Sequence, residues 1–80
     1  MTDDQRRKII ARYNDAQEQE SLYLTRMDEA ASDEQWATAS SKHSYALGTM
    51  SGISIGLELL GYSLVVDDCD RAVDIKPEED

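Results

Sequence analysis

Two groups of side chains in this chain have the types and spacing from which chemistry is built. The first is Glu20 with His43, a carboxylate and the only imidazole. A carboxylate within reach orients an imidazole and serves it as an acid–base partner. The second is Cys69 set among Asp67, Asp68 and Asp70, which together offer the donors of a metal site or a reactive thiol. Neither group amounts to a mechanism. Glu20 and His43 have no nucleophile, phosphate loop or metal cluster in company, so a structural hydrogen bond between two helices is the preferred reading. Around Cys69 the loop glycine and closing glutamate of an EF-hand are missing, and three flanking carboxylates work against a thiolate nucleophile. An exposed, inert turn cysteine is expected there. The sequence implies no metal, no cofactor and no enzyme activity.

The elements that must position these residues follow from capping signals and periodicity. Thr2 followed by Gln5 reads as a capping box, with Asp3 and Asp4 in the first turn where the helix dipole favours them. Ile9, Tyr13, Ala16, Tyr23, Met27 and Ala30 then recur in steps of three and four, with Glu20 as the polar intruder, which predicts a helix over about residues 3–30. Ser32 and Gln35 read as a second capping box, starting a helix over about 33–60 with the seam Trp36, Ser40, His43, Leu47, Met50, Ser54 and Leu57. Gly61 is the natural stop. So short a connection makes the helices antiparallel, and residues whose numbers sum to about 63 lie level. Glu20 then meets His43.

Beyond Gly61, the segments 62–66 and 71–75 have strand composition around the turn-like Asp67-Asp68-Cys69-Asp70, and 77–80 reads as a frayed tail. The expected fold is mainly α, of the α+β class: an antiparallel two-helix hairpin followed by a short C-terminal β-hairpin. Eighty residues make one domain, 1–80, with a modest core. Small domains often lean on a disulfide, a metal or a second subunit. One cysteine and one histidine remove the first two aids, which leaves a partner subunit.

The formal net charge of -9 disfavours nucleic acid as a direct partner. Acidity is concentrated late, where Asp67, Asp68, Asp70, Asp74, Glu78, Glu79 and Asp80 face only Arg71 and Lys76. Such charge either keeps the chain soluble or forms a surface that occupies a basic, nucleic-acid-binding groove on another protein. The early basic group, Arg6, Arg7, Lys8 and Arg12, reads as a solvated face that can pair with Glu58 or with the acidic hairpin. No apolar stretch follows it, so no signal peptide is expected and the location is read as cytoplasmic. The apolar run from Tyr45 to Val66 is broken by Gly61 and several hydroxyls, carries Glu58 and lacks a Lys/Arg flank, which argues against a membrane.

Inside that run lie Gly48, Gly52 and Gly56, a ridge that Ser40 and Ser44 extend. Each interior glycine costs about 1 kcal/mol of helix propensity, so three imply close approach by something. With Leu47 at the centre of the inward face, the three lie about 100°, 140° and 180° away from it. Ile55 and Leu59 border the ridge. It therefore needs a second cover, either the C-terminal hairpin or a second subunit in a homodimer. Tyr45 falls off the seam and is the aromatic expected at an exposed contact.

The run Gly52-Ile53-Ser54-Ile55-Gly56-Leu57-Glu58-Leu59-Leu60-Gly61-Tyr62, with Ser63-Leu64-Val65-Val66 after it, resembles small proteins of phage and prophage genomes. Those have a charged first helix, a glycine-bearing second helix ending in Leu-Gly-Tyr and a short hairpin, and the resemblance covers about residues 33–76. Its small acidic members include inhibitors of host defence, such as anti-CRISPR proteins that compete with nucleic acid. The resemblance assigns no functional residue. With the charge pattern, it implies an interaction protein of the host cytoplasm that binds another protein through Asp67, Asp68, Asp70, Asp74 and Tyr45. The alternative is a homodimeric helical scaffold built on Gly48, Gly52, Gly56, Ile55 and Leu59.

Overall fold

In the computed structural model, which describes residues 1–78, Thr2 closes a full capping box: its hydroxyl accepts from the Gln5 N–H at 3.1 Å and Gln5 Oε1 accepts from the Thr2 N–H at 3.0 Å. Helix α1 runs Asp3–Asp28. It ends short of the expected residue 30. Ala30 N–H turns back to Met27 O at 3.3 Å, and the Ala31 N–H is drawn to Gln35 Oε1 at 3.0 Å. That second bond also corrects the second capping box. Ser32 Oγ does accept from the Gln35 N–H, but the Gln35 amide reaches one residue further back than the motif requires.

Helix α2 runs Asp33–Leu59, and Gly61 terminates it with φ 83 and an N–H donated to Glu58 O at 3.0 Å. That left-handed conformation is one glycine adopts without strain. The helices are antiparallel in the expected register, since His43 and Glu20 meet at 2.9 Å. The seam of α2 is rotated from the expected one. Ala39, Ala46 and Leu57 are buried and His43, Met50 and Ile53 half-buried, whereas Trp36 is 50% and Leu47 43% exposed. Alanines, not the larger side chains one position away, face α1. Opposite them Ala16 is also buried, and small side chains on both helices bring the backbones close.

Strands β1, Tyr62–Val66, and β2, Ala72–Pro77, pair antiparallel, with Leu64 opposite Ile75. The second strand begins one residue later and ends two later than 71–75. The Arg71 N–H goes to Asp67 Oδ1 at 3.0 Å, so Arg71 belongs to the turn. Pro77, read as the first tail residue, closes the strand opposite Tyr62, where the end of an edge strand tolerates a missing N–H. A bulge between Val65 and Val66 leaves Val73 unopposed. Glu79 and Asp80 lie outside the described residues.

A two-stranded hairpin is marginal alone. Here β2 packs on α1 and β1 on α2, burying Ala72 and Ile75. Asn14 joins the layers: its Oδ1 accepts from the Ala72 N–H at 2.7 Å and its Nδ2 donates to Ala72 O at 2.9 Å. The side-chain amide thus acts as one residue of a third strand.

Candidate interaction surfaces

Glu20 and His43 form a half-buried pair in the helix–helix seam. A carboxylate oxygen only accepts, so with Glu20 ionised the bond requires a proton on His43 Nε2. The pair faces a helix interface, and among the described residues no hydroxyl or thiol side chain bonds to either member except Ser21, whose hydroxyl donates to Glu20 at 3.4 Å. Its geometry serves the hairpin. Replacing Glu20 with alanine is expected to destabilise the fold by about 1–3 kcal/mol, because a half-buried N–H loses its acceptor. Glu20→Gln keeps an acceptor and should cost less. Urea midpoints that are equal for the two variants would remove the hydrogen bond from the account.

The acidic set divides. Asp67, Asp68 and Asp70 lie on the β1–β2 turn and are exposed, as is Cys69 between them. Asp67 Oδ1 accepts from the N–H groups of Cys69 and Arg71, which shapes the turn, and Asp70 takes φ 61, a conformation aspartate tolerates. Arg71 reaches away from the turn to Glu18 at 3.3 Å. Among the described residues no salt bridge reaches Asp67, Asp68 or Asp70.

Asp74, the fourth aspartate of the expected partner-binding set, stands apart from the turn. It is half-buried, lies 3.8 Å from Arg6 Nε and accepts from the Ile75 N–H at 2.8 Å. Through that contact the early basic group reaches the hairpin, and Arg6 also pairs with Asp3 at 2.9 Å. Arg6 Nε is itself buried with no hydrogen-bond partner, which marks this contact as an imperfect one.

The glycine ridge is bare. An added Cβ at Gly48, Gly52 or Gly56 would meet nothing within 4 Å, so the C-terminal hairpin does not cover it. Because the inward face of α2 is centred near Ala46 and Met50 rather than Leu47, the order of the three reverses: Gly48 points about 180° from α1, Gly52 about 140° and Gly56 about 100°. Tyr45 at 80%, Ile55 at 56% and Leu59 at 83% exposure stand on the same outward side. On the flank between the helices, Arg12, Asp15, Gln19, Tyr23, Lys42 and Tyr45 rim an open groove of about 470 Å³ floored by Ala16 and Ala46. Lys42 Nζ sits 5.3 Å from the Tyr23 ring centroid there, a cation–π contact that covers part of the wall.

Asn14 is the positioning residue that sequence reasoning passed over. The signal was present: asparagine is a poor interior helix former, and Asn14 stands beside the apolar stripe, four residues after Ile10. Among the described residues no three His, Cys, Asp or Glu side chains converge as a metal site, and no helix is long and apolar enough to cross a membrane. Comparison with protein-family models, with curated proteins and with solved structures finds no match for this chain.

Proposed function

We propose that the chain is a non-enzymatic interaction protein whose acidic turn engages a basic surface on another protein. The observation that carries this reading is the uncompensated turn, where Asp68 and Asp70 are exposed and make no ion pair within the described residues. Carboxylates held out on a hairpin tip match clustered Lys/Arg, the surface by which proteins bind nucleic-acid phosphates. Occupying that surface would exclude the nucleic acid. The resemblance to small phage-type proteins extends the proposal to inhibition of a nucleic-acid-binding host factor.

Capture from a cell lysate on the immobilised chain tests it. A basic protein is expected to be held at about 50 mM salt and released at about 500 mM, where charges screen within a few ångström. The double variant Asp68→Asn/Asp70→Asn should hold less at low salt. Equal capture by the variant, or no captured protein at either salt, would overturn the reading.

A further inference from the structure

We propose that the outward face of α2 is the interface of an antiparallel homodimer whose two-fold axis passes beside residue 50. The proposal uses a different face from the acidic turn and does not depend on it. The inward seam of α2 is Ala39, His43, Ala46, Met50, Ile53 and Leu57. Adding two to each number gives Ser41, Tyr45, Gly48, Gly52, Ile55 and Leu59, every one of them exposed. Two residues turn a helix by about 200°, so this second seam points away from α1. It repeats in the same alternating steps of four and three by which one helix meets another in a coiled coil.

Charge, shape and backbone cost select a second copy as the occupant. From His43 to Leu57 there is no Asp, Glu, Lys or Arg, so a charged partner finds nothing to pair with on this strip. In a chain of net charge -9, it is also the strip through which two copies meet with least repulsion.

The outer seam is complementary to itself when reversed. An antiparallel pairing centred on residue 50 opposes all six positions: Gly48 meets Gly52 of the second copy, Tyr45 meets Ile55, and Ser41 meets Leu59. The two glycine layers form a waist where backbones approach closely, flanked on each side by large apolar side chains that close over it.

The backbone cost points the same way. Glycines weaken a helix, and within one chain these three gain no contact from lacking a Cβ. A strip about 28 Å long and 10 Å wide stays below the roughly 1,200 Å² of a stable interface, so the dimer is weak and depends on concentration.

Sedimentation equilibrium of the wild type from about 10 μM to about 1 mM should show mass rising toward the dimer. Tyr45→Arg and Ile55→Glu should each stay monomeric with unchanged circular dichroism, and an equimolar mixture should dimerise. Only an antiparallel register centred on residue 50 places the new cation of Tyr45→Arg in one copy against the new carboxylate of Ile55→Glu in the other. Gly52→Leu, which fills open space in the monomer, should abolish association while raising the melting temperature measured at dilution. A wild type that stays monomeric to about 1 mM overturns the interface. A dimerising wild type whose mixed variants stay monomeric overturns the register, and with it the proposal.

Discussion

Replacing Ile75 with alanine is expected to lower stability by about 2–5 kcal/mol, the range for deleting a buried branched side chain and leaving a cavity. Ile75 is 1% exposed, the most enclosed large side chain among the described residues. It sits in β2 opposite Leu64, so its loss empties the space between the hairpin and the helices. Among the described residues four of the six buried side chains are alanines, and Leu57 is the other large one. A core with so few large side chains has little to repack into the gap. A domain of this length has roughly 4–12 kcal/mol of stability in total, so the variant should be partly unfolded at room temperature or close to it. Ile75→Val removes one methyl group and should cost about 0.5–1.5 kcal/mol. Urea titration followed by circular dichroism checks both. A midpoint for Ile75→Ala within error of the wild type would mean that the hairpin does not carry the core.

Asn14→Leu should come second, at about 2–4 kcal/mol. It keeps the side chain's approximate volume but leaves the N–H and C=O of buried Ala72 without partners, at about 1–3 kcal/mol for each orphaned group. The two bonds, 2.7 and 2.9 Å, span 58 residues of sequence and tie the middle of α1 to the first residue of β2. The loss should be uneven across the molecule. The Ala72 amide and its neighbours in β2 should exchange with deuterium much faster, while amides in the α1–α2 seam slow or hold relative to them. An Ala72 amide that keeps its protection in the variant would show that the strand is held by packing alone.

The legible parts of this fold were those written in local signals. Thr2 and Gln5 announced α1, Gly61 announced the end of α2, and the lone carboxylate in one seam found the lone imidazole in the other. That pairing followed from the antiparallel register, which the short connection between the helices sets. The face of α2 was harder to read, because Leu47 and Trp36 have the hydrophobicity of core residues while Ala39 and Ala46 do not advertise themselves. Close helix packing rewards small side chains, and hydrophobicity alone cannot show that preference. Asp74 was counted with the turn by its charge, whereas its carboxylate stands 3.8 Å from Arg6 on α1, a contact that no local pattern announces. The acidic turn and the outward apolar seam were legible as residues. What meets them was not, since exposure in one chain is silent about the chain on the other side.

The two seams of α2 bear on how freely its sequence can drift. Eleven charged residues lie in α1 and four in α2, two of those in its first turn. A helix that presents one face inward leaves about half its positions open to any soluble side chain, and α1 has filled them with charge. A helix committed on opposite faces leaves only the two narrow flanks between. Substitutions should therefore accumulate in α1 well before α2, and a diverged descendant of this chain would be recognisable first by the spacing of its second helix.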